Sequence, residues 1–130
     1  MKHYSPPDVE YLASDAMAGL PFSEAVRVGD FLFLSGQLGG DSSGRLAPGG
    51  IAAETQQTME NIRATLARHG SSLDRIVKVT VFLADFDEWA EMNRVYVTYF
   101  PNHLPARSAL GAGGLALGAR VEIECIAVVG

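Results

Sequence analysis

Apolar and polar positions along the chain change period several times, and each change marks an element. Ala25-Val26-Arg27-Val28, Gly29-Asp30 and Phe31-Leu32-Phe33-Leu34 read as two antiparallel strands joined by a two-residue turn, with Gly first as a type II′ turn requires. The second strand is apolar on both faces, which predicts a place inside a sheet with something covering each side. Gly39 to Gly50 holds five glycines, Pro48, Asp41 and two serines and reads as a loop. From Ile51 the period becomes helical: Ile51, Thr55, Met59, Ile62 and Leu66 make one stripe, and Glu54, Gln57, Glu60 and Arg68 occupy the other face. His69-Gly70 closes this helix, Gly supplying the left-handed residue after it.

Ser71-x-x-Asp74 has capping-box spacing and predicts a short turn. Ile76 to Leu83 is strand-like, with Val77, Val79, Val81 and Leu83 on one face and Lys78, Thr80 and Phe82 on the other. Asp85 or Asp87 caps a second helix whose stripe is Trp89, Met92, Tyr96 and Tyr99, and Pro101 ends it after Phe100. A short strand near Ala106 to Leu110, a glycine-rich turn and a last strand from Arg120 to Val129 complete the order ββαβαββ. This is an α+β two-layer sandwich of one sheet with two helices on one face, a single domain over residues 1–130 behind an N-terminal arm of residues 1–19, extended at Pro6-Pro7. Two helices cannot cover both faces of such a sheet. The apolar strand Phe31 to Leu34, with Ile126 and Val128, predicts that another subunit covers the second face.

Composition narrows the functions open to this chain. With 48% apolar residues and 19% charged residues it has material for a core and not the profile of a disordered segment. Ten Lys+Arg against 15 Asp+Glu leave a net charge of −5, with no basic run to release counterions from a phosphate backbone, so neither nucleic acid nor an anionic membrane surface is the expected partner. One cysteine, Cys125, forbids an intramolecular disulfide and a thiolate zinc site, and a cytoplasmic setting is expected. No targeting segment is expected before Asp15, and the longest uncharged stretch, Ser108 to Ala119, is shorter than the roughly 20 residues of a membrane span.

Several motifs invite chemistry and fail on context. Gly111-Ala112-Gly113-Gly114-Leu115-Ala116 fits a dinucleotide fingerprint, but the segment after it is strand-like where a helix is needed, so a connector or site rim is the better reading. His3, His69 and His103 are scattered and none shares a helix face with another, so no metal is expected. No serine lies in a nucleophile elbow, and Cys125, mid-strand, reads as a small core residue. Two charged features stand apart. Arg107 begins a strand in otherwise uncharged company, Leu104 to Ala119. Glu122 and Glu124 share one strand face opposite Val121, Ile123 and Cys125. A solvated edge with a surface ion pair would explain both. So would an arginine fork holding a substrate carboxylate, with a carboxylate nearby to orient or deprotonate a water.

At these residues the chain resembles the RidA/YjgF family of reactive-intermediate deaminases, from about Leu20 to Val129. The likeness is carried by Ser35-Gly36-Gln37, Val77-Lys78-Val79-Thr80-Val81-Phe82, Asn93 with Tyr96 and Phe100, Pro105-Ala106-Arg107-Ser108, and Val121-Glu122-Ile123-Glu124-Cys125-Ile126-Ala127. The resemblance implies a chorismate-mutase-like α+β fold, a homotrimer with inward-packed sheets and clefts between subunits, and cofactor-free hydrolysis of 2-enamine/2-imine acids such as 2-aminoacrylate to 2-keto acid and ammonia. It implies that Arg107 clamps the carboxylate and Glu122 handles the water. Phe22, Ser35, Gly36, Asn93 and Glu124 would line the cleft, and the backbone at Ala109 would face the substrate nitrogen.

Three positions depart from the family pattern. Leu20-Pro21-Phe22 stands where Gly-Pro-Tyr is common and removes a phenol. Ala109 replaces a frequent cysteine, and Leu115-Ala116 replaces Leu-Pro. A bulkier or more apolar imino acid, or a different enamine, is therefore expected. The competing expectations are a non-catalytic trimer that binds a small carboxylate as sensor or modulator, and a deaminase of a conjugated aminodienoate of the 2-aminomuconate type.

Overall fold

A computed structural model describes residues 7–130. His3 and Pro6 of the expected arm lie outside the described residues. The sheet has six strands, β1 (Val9–Leu12), β2 (Ala25–Val28), β3 (Phe31–Gln37), β4 (Ile76–Leu83), β5 (Ala106–Gly111) and β6 (Val121–Val128), in the spatial order β1-β2-β3-β6-β4-β5. Every neighbouring pair is antiparallel except β4 with β5. Two helices, α1 (Ile51–Arg68) and α2 (Trp89–Tyr96), pack on one face, giving the expected α+β layering.

Period-two alternation decides which residues meet the helices. Leu32 and Leu34, Val79, Val81 and Leu83, and Val121, Ile123, Cys125 and Ala127 point to the helix layer and are buried against Ile51, Met59, Ile62, Leu66, Met92 and Tyr96. Their neighbours in sequence point the other way. On that second face Phe31 pairs with Val128 and Phe33 with Ile126, and no helix covers them, so Phe31 and Phe33 remain 48% and 42% exposed. At the hairpin turn Gly29 has φ +57°, the left-handed conformation expected of a first turn residue of this type.

Four elements differ from the sequence reading. Residues 9–12 of the arm are a strand, β1, hydrogen-bonded to β2 at the sheet edge. In β4 the core-facing residue is Ile76, 3% exposed, while Val77 is 42% exposed. The register steps from Ile76 opposite Ala127 to Lys78 opposite Ile126, so Val77 is the extra residue of a bulge, which turns it outward. The second helix is α-helical for only eight residues, with 3₁₀ turns at Phe86–Glu88 and Val97–Tyr99, and Asp85 caps its approach by accepting from the Asp87 N–H at 2.9 Å. Ser71 does not cap the turn Leu73–Arg75: its hydroxyl donates to the Val128 carbonyl at 2.8 Å and ties the turn to β6.

Glu54, placed on the polar face of α1 by its spacing, is buried. Its carboxylate accepts the backbone N–H of Arg120 at 2.9 Å and lies 3.7 Å from that residue's guanidinium, which also pairs with Glu88 at 2.9 Å. The ion pair fixes where β6 begins. The bulge in β4 predicts an inverted ranking in unfolding experiments: Ile76→Ala costs about 2–5 kcal/mol as a core truncation, whereas Val77→Ala costs under about 1 kcal/mol, measured by denaturant titration.

Candidate active site

Arg107 is the second residue of β5, half-buried at the sheet edge. Its register partner is Val79, and Ala109 pairs with Val81, so both face the helix layer. The Arg107 guanidinium carbon lies 4.8 Å from the centroid of the Tyr96 ring on α2. Among the described residues Arg107 has no carboxylate partner and no side-chain hydrogen bond. A half-buried guanidinium held only by a ring face keeps its whole donor fork available for an anion. A cavity of about 270 Å³ opens beside it, lined by Asn93, Tyr96, Val97, Leu104, Pro105 and Arg107.

Two further polar atoms at this cavity lack partners. Asn93 Oδ1 and the Tyr96 hydroxyl are both buried without a hydrogen bond. Such atoms are costly unless a ligand or water satisfies them. Burial also pushes the Tyr96 phenol up to about 12, against the lowering effect of Arg107, so it stays a neutral O–H. Asn93 and Tyr96 are three apart on α2, which is why one helix supplies both the polar group and the ring.

Glu122 and Glu124 occupy a different place. Glu122 pairs with Phe82 and Glu124 with Thr80, positions on the sheet face that the helices do not cover. Within one protomer Arg107 and Glu122 therefore point to opposite faces, with β4 between their strands. The Glu122 carboxylate is seated on Gly36: a Cβ at residue 36 would lie 2.9 Å from Glu122 Cδ, closer than real Cβ contacts allow. A side chain at residue 36 would push the Glu122 carboxylate out of this position. Gly36 falls in a bulge of β3, where Leu34 pairs with Cys125 and Gln37 with Ile123. Burial raises the pKa of Glu122, and the charge of Glu124 adds to the rise.

The remaining expected site residues divide accordingly. Ser35 sits beside Gly36, with its hydroxyl proton committed to the Ser23 carbonyl at 2.6 Å. Phe22 and Gly36 line a hollow of about 480 Å³ together with Glu24 and Arg68. Arg107, Asn93 and Ala109 thus lie together on the helix side of the sheet, Glu122 and Glu124 lie on the uncovered face with Gly36 against the Glu122 carboxylate, and Phe22 lines a separate hollow beside Asn61, Thr65 and Arg68 of α1. The sequence reading missed Tyr96 as the platform under Arg107 and Glu24 as a buried acid. For Tyr96 a signal existed in the helical spacing from Asn93, but its membership of the core stripe explained it equally well. The fingerprint-like run Gly111 to Ala116 leads into a 3₁₀ turn at Ala116–Gly118 and holds no helix for a nucleotide. His69 and His103 are engaged structurally, the first with Glu24 at 2.8 Å and the second with the Asp74 carbonyl at 2.7 Å.

Fold and site together define a class: α+β proteins in which two helices cover one face of a mixed sheet and an unpaired arginine at the sheet edge opens to a small cavity. Known proteins share the fold. The family model described as endoribonuclease L-PSP matches residues 13–129. A mouse protein named 2-iminobutanoate/2-iminopropanoate deaminase is 45% identical over 85% of this chain and 82% of its own length. A crystal structure of a putative endoribonuclease L-PSP from Entamoeba histolytica superposes with a TM-score of 0.87 at 34% identity, covering 94% of this chain and all of that one. That of the YjgF gene product from E. coli gives 0.83 at 31% identity over 92% and 98% of the two chains. The chain belongs to the endoribonuclease L-PSP family, the RidA/YjgF family of the resemblance drawn from its motifs.

The raised pKa of Glu122 has a stability consequence of defined sign. The carboxyl is harder to ionise in the folded state than in the unfolded one. The fold therefore loses relative stability as pH rises through the folded midpoint. Glu122→Gln is expected to raise the melting temperature at neutral pH, with the gain fading below about pH 4, as read by thermal scans across pH.

Proposed function

We propose that this protein is a cofactor-free deaminase that hydrolyses 2-imine and 2-enamine acids to 2-keto acids and ammonia, in clefts between three copies of the chain. The observation that carries this reading is the Arg107 fork, unpaired and stacked on Tyr96, beside the unpartnered Asn93 Oδ1. A planar carboxylate next to a nitrogen that bears protons satisfies both. The names of the mammalian relatives support the substrate class. A net charge of −5 argues against a phosphate backbone as the substrate. A cytoplasmic setting suits a chain whose lone thiol is unpaired.

The division into two half-sites, Arg107 with Asn93 and Glu122 with Gly36, supports a cleft shared between copies. Arg107 and Glu122 cannot hold one small substrate from opposite faces of the same sheet, whereas a neighbour that brings its Glu122 face to the Arg107 edge completes the cleft. The uncovered Phe31, Phe33, Ile126 and Val128 supply apolar surface for that packing.

Chemically, Arg107 grips the carboxylate bidentately and Asn93 accepts from the substrate N–H. Glu122, with its pKa raised, is suited to both directions of proton transfer: protonated, it gives a proton to C3 of an enamine to form the iminium; ionised, it takes one from the attacking water. Water adds to C2 as Glu122 takes its proton, and Glu122 returns that proton to nitrogen. The C–N bond then breaks with its electron pair going to nitrogen while the hydroxyl proton passes to the departing ammonia, leaving the keto acid and ammonium. The iminium is already electrophilic, so orientation and proton transfer suffice.

Imino acids generated in situ from several amino acids by an amino-acid oxidase, with residual imine trapped by semicarbazide, test the reaction. Arg107→Ala is expected to lose on the order of 10²-fold in kcat/KM, and tight binding without turnover by the wild type would point to a sensor instead. A 1:1 mixture of Arg107→Ala and Glu122→Ala protomers, unfolded and reassembled together, is expected to recover activity at about one quarter of its interfaces, since a closed ring then pairs an intact Arg107 with an intact Glu122 at random. No recovery, or a monomer in sedimentation, would refute the shared cleft.

A further inference from the structure

We propose that Glu24 is a positioning residue for the water-handling half of the site, holding the Ser35–Gly36 bulge on which Glu122 is seated. This rests on the role proposed above for Glu122. Glu24 lies just before β2 and is only 4% exposed. Its carboxylate is held from two sides by the end of α1: Arg68 donates to Oε1, and His69 Nε2 lies 2.8 Å from Oε2. Burial alone would raise its pKa, but the hydrogen bonds and charges of His69 and Arg68 outweigh that and lower it.

What this anchored residue holds is the other wall of the site. The Ser35 N–H donates to the Glu24 carbonyl at 3.1 Å, and the Ser35 hydroxyl donates to the Ser23 carbonyl at 2.6 Å. Both bonds act where β3 bulges away from regular pairing with β6, so the sheet ladder does not itself fix Ser35 and Gly36. Gly36 then meets the Glu122 carboxylate across the bulge. The links run from the C-terminus of α1 through Glu24 to Ser35, Gly36 and Glu122, while Arg107 and its Tyr96 platform stand outside them on the opposite face of the sheet. A protein that needed only a surface ion pair at this helix end would not bury the acid. Burial with two side-chain partners, Arg68 and His69, makes the segment Ser23–Glu24 a fixed point, and the bulge depends on it.

The separation of the two half-sites gives the expected signature. Glu24→Ala is expected to lower kcat about tenfold while leaving KM within about twofold, because substrate grip belongs to Arg107. In the same variant, hydrogen exchange of the Ser35 amide followed by NMR speeds up about tenfold, with the β4 amides unchanged. Glu24→Gln, which keeps the volume and loses the charge, shifts both in the same direction by less, and it carries the test if Glu24→Ala does not fold. Ile76→Ala, a core truncation at the far end of β4 opposite Ala127, is the control: it lowers stability and leaves kcat and Ser35 exchange as they are. Unchanged kcat and exchange in the Glu24 variants, or equal changes in Ile76→Ala, would overturn the proposal. If the wild type deaminates no imino acid, the functional reading falls, and Ser35 exchange still decides whether Glu24 holds the bulge.

Discussion

The rest of the structure depends on the two-residue period of β6 at the centre of the sheet. Val121, Ile123, Cys125 and Ala127 must face the helices for the core to close, which sends Glu122 and Glu124 to the other side. The same rule on β5, read through its pairing with β4, sends Arg107 and Ala109 to the helix side. A shift of either strand by one residue would bring the two charges to one face and would also expose half of the core. The separation of the two half-sites is therefore tied to the stability of the fold.

That constraint gives each half-site a different kind of support. Arg107 depends on packing: a ring face beneath it, an unpartnered amide beside it and no competing carboxylate. Glu122 depends on backbone: a bulge, a glycine whose missing side chain makes room, and a hydroxyl and an amide that tie the bulge to the segment before β2. The first arrangement leaves charge free to meet a ligand. The second holds a carboxyl where ionisation is disfavoured.

The elements with a strong local period were legible from the chain itself. The hairpin at Gly29-Asp30, the stripe of α1 and the alternation of β6 all stand as read, because each follows from spacing alone. Val77 was misplaced because a bulge comes from how two strands pair, and the partner of β4 is about 50 residues further along. Residues 9–12 form a strand against the edge that β2 offers, and at four residues, Val9-Glu10-Tyr11-Leu12, the run is too short for its β-forming Val and Tyr to mark it in the sequence. Glu24 and Glu54 were unreadable as buried acids for a similar reason: their partners, Arg68, His69 and Arg120, lie 44, 45 and 66 residues away. The candidate site residues stood out as types, through the oddness of Arg107 and the paired glutamates and through family resemblance. Their separation onto two faces needed the register.

Cys125, finally, bears on the chain's own survival. The imine tautomer of such acids is electrophilic at C2 and adds thiolates, so a protein that gathers them risks capturing them on its own thiol. Here the only thiol, Cys125, is buried in the core, and burial with the nearby Glu124 charge pushes its pKa up to about 12. The protein offers the compounds it is proposed to destroy no accessible thiolate, and so it is built against self-inactivation.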